Sequence, residues 1–267
     1  MILAALSHEF RTPLNGVLGM ARLLAGTRLD AAQKSYVAAL EESGEHLLGL
    51  VNQVLDLARL QAGAIELRPA PVDLERLLQG VAEILSPRAH ARGLEIAWAV
   101  DPRLPAILAD EARLRQVLFN LAGNAVKFTH SGGALITAEP AGGEVLAGEA
   151  RVRFVVRDTG PGVSREERQR IFEPFAQGRA SAEAVESTGL GLAIVGRLAE
   201  AVDATLGLDS TPGRGAAFWM EASFPVARSA RPPQPLAGQA VVIVTDNPIL
   251  ADAAACQVRA CGGEPMI

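Results

Sequence analysis

Three polar residues recur four and three positions apart in RLRQVLFNLAGNAVKFT: Asn120, Asn124 and Lys127. On a helix those steps place them on one face, with Leu114, Val117, Leu118 and Leu121 on the buried side. Two amide oxygens and an ammonium facing one cavity suit phosphate oxygens and a hard cation such as Mg²⁺. Asparagines so spaced also cap or bridge helices, and the spacing alone does not choose between the two roles. RDTGPGV adds a carboxylate, Asp158, at the end of a β-branched run, followed by Gly160 and Gly162, which permit a tight turn and close approach of a ligand. A carboxylate there can accept from an exocyclic amine, so adenine is a candidate; an ordinary Asp/Gly turn is the competing reading. In STGLGLAIV, Gly189 and Gly191 precede an apolar helix whose free amides and dipole favour an anion. No Gly-Lys-Ser/Thr follows and a third glycine is missing, so this is neither a Walker loop nor a dinucleotide fingerprint. Gly213 and Gly215 in STPGRGAAF read as a hairpin turn. Near the start, LSHEFRTPLNG sets His8 beside Glu9, a solvated pair unless the chain supplies something for the imidazole to react with.

Those residues need elements to position them. Leu6, Phe10, Leu14, Val17, Leu18, Ala21 and Leu24 form one apolar stripe at helical spacing, and Pro13 predicts a bend in that helix. After a break at residues 26–29, Asp30 and Gln33 have the spacing of a capping box. Tyr36, Leu40, Ser43, Leu47, Leu50, Val54, Leu57 and Gln61 then alternate by four and three, a heptad seam that Gly63 stops. Such a hairpin cannot bury its stripe alone. A homodimeric four-helix bundle is expected, with packing on the downstream domain as the alternative. Beyond residue 69 the pattern predicts helices at 74–91, 110–128, 165–171 and 192–202, and strands at 94–100, 134–138, 152–156, 205–208 and 216–224. This mixture predicts an α+β fold: an α/β sandwich with helices on one sheet face. Residues 227–238 read as a Pro-rich linker, and AVVIVTDNP as a buried strand entering a turn and a new helix.

The 267 residues suffice for two ordinary domains and a remnant. With 49% hydrophobic and only 4% aromatic residues, the cores must be built from Leu, Val, Ile and Ala. A net charge of -5 without a basic block excludes a general nucleic-acid or anionic-membrane binder. Cys256 and Cys261 lack metal-site spacing and read as small buried hydrophobes in a reducing compartment. The opening MILAAL lacks a basic n-region, and no apolar run approaches the roughly 18 to 20 residues that cross a bilayer. The segment is expected to be cytoplasmic, with membrane attachment only through segments outside it.

Taken in order, these stretches resemble the sensor histidine kinases of two-component systems. HEFRTPLNGVLGM is similar to their H box, NLAGNAVKFT to the N box, DTGPG to the G1 box, FEPF to the F box and TGLGLAIV to the G2 box. The resemblance runs from about Leu3 to Pro225. It implies a dimerisation and phosphotransfer hairpin over residues 1–66 and an ATP-binding domain over 67–226, of the type shared with gyrase and heat-shock ATPases. His8 would then attack the γ-phosphate of ATP, with Glu9 taking its proton. Thr12 would orient water for dephosphorylating a partner. By the same resemblance Asn124 is the main Mg²⁺ ligand with Asn120 beside it, and Lys127 lies near the phosphates. Asp158 reads the adenine amine in a pocket shaped by Gly160 and Gly162. Thr188, Gly189, Leu190, Gly191 and Leu192 hold phosphate, while Phe172 and Phe175 anchor a lid over residues 176–188. The implied partners are a second copy of the chain and the receiver domain of a response regulator.

Some positions depart from the family pattern. Glu186 and Ser187 stand where further glycines are common, and Val202 and Asp203 where a Gly pair often precedes the next strand. Residues 239–267 resemble the start of a receiver domain, but Thr245 precedes Asp246 where two acids usually bind Mg²⁺. A catalytically weak, dimeric signalling scaffold is the alternative reading.

Overall fold

The computed structural model describes residues 2–61, 66–142, 148–168, 170–176, 189–228 and 235–267; the side chains of residues 2–11, 45, 46, 56, 59–61 and 228 lie outside that description. The chain forms two compact units, Met1–Ile65 and Glu66–Ile267.

The first unit is a helical hairpin of α1 (Ile2–Ala25) and α2 (Ala31–Gln61). Helix α1 is continuous through Pro13. The expected capping box is present: Gln33 N–H donates to Asp30 Oδ1 at 2.8 Å, and Asp30 N–H donates to Gln33 Oε1 at 3.0 Å. Leu18 and Ala21 of α1 and Val37, Leu55 and Leu57 of α2 are buried. At Gly44 the two helices come so close that a β-carbon would stand 2.7 Å from Leu18 Cδ2. Most of the predicted heptad seam faces outward: Tyr36 is 68% exposed and Leu40 52%, and Leu47 and Val54 are also exposed. Helix α2 therefore carries two neighbouring stripes, one spent on α1 and one left over. That is the pattern of a helix that belongs in a bundle larger than a pair. The stop expected at Gly63 lies outside the described residues.

The second unit is a seven-stranded sheet in the order β1-β3-β7-β5-β4-β2, with β6 also paired to β7. The strands are β1 (Ala70–Val72), β2 (Glu95–Val100), β3 (Ala106–Ala109), β4 (Gly133–Pro140), β5 (Glu149–Asp158), β6 (Thr205–Ser210) and β7 (Ala216–Arg228). All pairings are antiparallel except β2 with β4. Helices α3 (Leu74–Ala91), α4 (Glu111–Phe128) and α6 (Gly191–Ala201) contribute Leu77, Leu78, Val81, Leu118, Leu121, Ile194 and Leu198 to the core. Along β5, Ala150, Val152, Phe154 and Val156 are buried and the residues between them are not, the period-2 signature of a strand covered on one face. The expected α/β sandwich is thus observed. Strands β1 and β3 were not expected from the sequence. The helix expected over 165–171 shrinks to one turn, α5 (Arg165–Arg168).

At the far end, β8 (Ala240–Val242), α7 (Pro248–Ala260) and β9 (Glu264–Met266) make a small βαβ unit with parallel strands. Helix α7 does not hang free. Its Ile249 and Ala253 pack on Ala97 of β2 and Leu135 of β4, whereas neighbouring Ile96 packs with Ala89, Leu94 and Val126 among the helices. Successive strand residues point to opposite faces, so α7 covers the back of the sheet. Gln257 Nε2 donates to Trp98 O at 3.4 Å, and Asp252 pairs with Arg157. Among the described residues no helix is long and apolar enough to cross a membrane.

Candidate nucleotide-binding site

Helix α4 is set by its N-cap. Asp110 takes an extended conformation and accepts from Arg113 N–H at 3.2 Å, while its second oxygen accepts from Arg68 N–H at 3.0 Å. Leu114, Val117, Leu118, Leu121, Ala122, Ala125 and Val126 are buried, which fixes the rotation of the helix. Asn120, Asn124 and Lys127 accordingly share the partly exposed face. Asn120 Nδ2 is buried with no hydrogen-bond partner among the described residues. Its amide lies against the start of α6, where a β-carbon on Gly191 would stand 3.9 Å from Asn120 Oδ1. Helix α6 begins at Leu190 without a side-chain cap, so its first turn presents backbone amides and the positive end of the dipole beside Asn120. A buried donor next to a helix N-terminus is a setting for an anion, and phosphate oxygens fit it.

The other end of the site is built from turns. Asp158 closes β5, and its Oδ1 accepts from Gly160 N–H at 2.8 Å and Ala216 N–H at 3.3 Å. Burial pushes this carboxyl above the ordinary aspartate range, and the two backbone donors oppose that rise. Gly162 has φ 73 and Gly215 has φ 85, left-handed values that favour glycine, and a β-carbon on Gly215 would collide with the carbonyl oxygen of Asp158. The turn between β6 and β7 is therefore a hairpin turn, as expected. It also braces the carboxylate: Gly213 N–H donates to Pro161 O at 2.7 Å, Val163 N–H to Ser210 Oγ at 2.8 Å, and Ser210 Oγ to Gly215 O at 2.9 Å. Thr159 ties the same loop to the start of β4, donating to Ser131 O at 2.7 Å and accepting from Gly133 N–H at 2.9 Å.

This geometry finds its counterpart in known proteins. The His Kinase A (phospho-acceptor) domain family matches residues 1–63, and the histidine kinase-, DNA gyrase B-, and HSP90-like ATPase family matches residues 109–227. The chain belongs to the sensor histidine kinases. A solved structure described as full-length ShkA in complex with AMPPNP is 57% identical to this chain, with a TM-score of 0.86 over 98% of this chain and 54% of that one. Sensor histidine kinase GacS of Pseudomonas protegens is 38% identical over 98% of this chain and 29% of its own length. The sensory/regulatory protein RpfC of Xanthomonas campestris pv. campestris is 42% identical over 82% of this chain and 30% of its own length. The chain thus spans less than a third of these curated relatives.

The structure brings Asn120 to Gly191, and Asp158 to Gly160, Gly215 and Ala216. Lys127 sits with its ammonium 5.7 Å from the Phe128 ring. Leu190 is buried, Leu192 half-buried, and Gly189 takes φ 65. Phe172 meets Phe218 edge-on at 6.4 Å between centroids. Phe175 is exposed and is tied by its backbone instead, its N–H donating to Gly189 O at 3.0 Å. Thr188, Glu186, Ser187 and the expected lid from residue 177 on lie outside the described residues. So do the side chains of His8 and Glu9, whose backbone belongs to α1; Thr12, on the same helix, is exposed. Asp203, where a glycine is common, takes φ 53, so this chain meets a left-handed requirement with a short polar side chain. Sequence reasoning missed Gly215 and Ala216 as parts of the site, since each acts through a contact distant in the chain.

Proposed function

We propose that this protein is an ATP-dependent histidine kinase that phosphorylates itself on His8 and passes the phosphoryl group to an aspartate of a response-regulator receiver. The observation that carries the reading is the Asp158 carboxylate, half-buried at the end of β5 and gripped by the Gly160 and Ala216 amides. A carboxylate whose Oδ1 is already satisfied twice directs its remaining accepting capacity at a ligand. The adenine amine is the group that fits it. Asn120 and the N-terminus of α6 supply the phosphate end of the same site.

In this reading Asp158 orients the base, with Gly160 and Gly162 allowing close approach. Gly189, Leu190, Gly191 and Leu192 offer backbone donors to the phosphates, with Thr188 beside them and Phe172 bracing the loop. Asn124, with Asn120 beside it, would hold Mg²⁺, which would offset phosphate charge. Lys127 adds a second positive charge. Asn120 carries an amide, which cannot act as a base towards water, so the site favours transfer to a side chain over hydrolysis. The imidazole of His8 supplies the nucleophile, and Glu9 accepts its proton. Thr12, one helical turn on, serves to orient water in removing phosphate from the regulator.

The exposed seam of α2 supports a homodimer through the hairpin, with Tyr36, Leu40, Leu47 and Val54 facing a second copy. Residues 239–267 read as the opening of a receiver domain whose acidic pair is reduced to Thr245 and Asp246, after the linker expected over 227–238, whose first two positions belong to the end of β7. The deciding experiment follows γ-labelled phosphate from Mg·ATP into the protein, comparing wild type with His8→Gln and Asn124→Ala. Acid-labile, base-stable label lost in both variants is expected. Label that survives His8→Gln would overturn the reading.

A further inference from the structure

The stretch FEPF ends in a turn built against ordinary residue preference. Ala176 N–H donates to Glu173 O at 3.2 Å, which makes Pro174 and Phe175 the two central residues. Phe175 has φ 62. Proline followed by a positive φ is the arrangement of a type II turn, whose third place favours glycine or asparagine because a β-carbon there crowds the backbone. A bulky residue in that place is strained, and burial does not offset the strain, since Phe175 is 68% exposed. Whatever the strained conformation achieves must therefore lie in the main chain.

That main chain runs against Gly189. Phe175 N–H donates to Gly189 O at 3.0 Å, and a β-carbon on Gly189 would stand 2.7 Å from Phe175 C, 2.8 Å from Phe175 Cα and 2.8 Å from Ala176 O. Gly189 is left-handed as well, with φ 65. The two residues form a clasp made of backbone alone. Gly189 immediately precedes Leu190, the N-cap of α6, which makes no side-chain cap hydrogen bond. Helices commonly fix their first turn through a Ser, Thr, Asp or Asn side chain at this position. Leu190 offers only a buried apolar side chain. The direction of the first turn of α6 thus depends on that burial and on the residue before it, and Phe175 holds that residue.

We propose that Phe175 is a positioning residue for the phosphate end of the nucleotide site, acting through its backbone: its left-handed conformation clasps Gly189 and so aims the first-turn amides of α6 beside Asn120. The inference rests on the reading of that helix N-terminus as a phosphate site and deepens it. Backbone donors act by direction, and the influence of the helix dipole is confined to the first turn. A small displacement of Gly189 therefore alters the phosphate end and leaves the turns around Asp158 as they are. The ring of Phe175 is dispensable in this role, and the left-handed backbone is not.

The test is equilibrium dialysis of the whole chain with Mg·ATP and with adenosine, for wild type, Phe175→Gly, Phe175→Ile, Phe175→Pro and Asp158→Asn, with melting of each unliganded protein. Glycine keeps the left-handed conformation and removes the ring; isoleucine keeps an apolar side chain and resists that conformation; proline forbids it and removes the N–H as well. Phe175→Pro should lose about tenfold or more in ATP affinity, and Phe175→Ile a smaller part of it. Phe175→Gly, the conservative change for the backbone, should bind ATP at least as tightly as wild type, and all three should hold adenosine as wild type does. The reverse order, with Phe175→Ile binding ATP and Phe175→Gly failing, would make the ring the working part and overturn the proposal. Phe175→Pro with the wild-type preference for ATP over adenosine would overturn it too. So would ATP and adenosine affinities that fall together with the melting temperature in the proline and isoleucine variants, which marks a general loss of the fold. Wild type binding ATP no more tightly than adenosine would sink the phosphate reading of α6 and the inference with it. Adenosine held by Asp158→Asn as tightly as by wild type would sink the adenine reading alone.

Discussion

Asp158 sits where function and stability pull in opposite directions. Burial raises its pKa in the folded protein, so the ionised form costs the fold something that the unfolded chain does not bear. The sign follows: this contribution is neutral at pH well below the unfolded value and becomes destabilising as pH rises through and beyond it. Asp158→Asn keeps an oxygen for the Gly160 and Ala216 amides but carries no charge. Melting of the unliganded protein at pH 7 should therefore be higher in Asp158→Asn than in wild type, with the difference shrinking towards acid pH, while ATP affinity falls by at least about tenfold. A variant that melts lower at pH 7 would show the carboxylate to be a stabilising member of the turn. Gly215 is the opposite case. Its φ of 85 and its approach to the Asp158 carbonyl leave no room for a side chain. Gly215→Ala should cost about 1–3 kcal/mol in chemical denaturation and weaken nucleotide binding with it.

Among the elements, α4 carries the most responsibility, since one face supplies core and the other the site. Leu118 is fully buried under it, and Leu118→Ala should destabilise the second unit by about 2–5 kcal/mol, read from the urea midpoint at unchanged slope. Both faces of α4 were legible from spacing alone, because a helix with a fixed buried stripe has no freedom over where its polar residues go. Asp158 was legible for a related reason: glycines after a strand-ending carboxylate announce a tight turn. Strands β1 and β3 were not, being three or four residues long and too short for any period to show. Nor was the part of Gly215 in the site, which comes from its close approach to the Asp158 carbonyl fifty-seven residues away. In the hairpin, the Asp30 and Gln33 box was readable because it is purely local. Which stripe of α2 faces α1 was not, because two adjacent apolar stripes satisfy the same heptad count. Asp30→Ala should cost about 1 kcal/mol, seen as earlier melting of helical circular dichroism.

Across the whole chain, the C-terminal βαβ unit is fastened to the back of the sheet by a modest set of contacts: Ile249 and Ala253 on Ala97 and Leu135, the Arg157–Asp252 pair, and the Gln257 bond to Trp98. Its strands β8 and β9 pair only with each other among the described residues, and beside them Val244 is 92% exposed and Ile267 72%. A short parallel pair with unpaired edges and bare valines is a template for strands from other molecules. This feature governs how residues 1–267 behave when prepared as an isolated segment. On concentration, self-association should begin at this corner while the rest of the fold is intact, giving turbidity well below the melting temperature. Val244→Lys should lower light scattering without moving the melting curve. The colloidal limit of the chain would then be set by a few surface side chains at its last strands, independently of the strength of its cores.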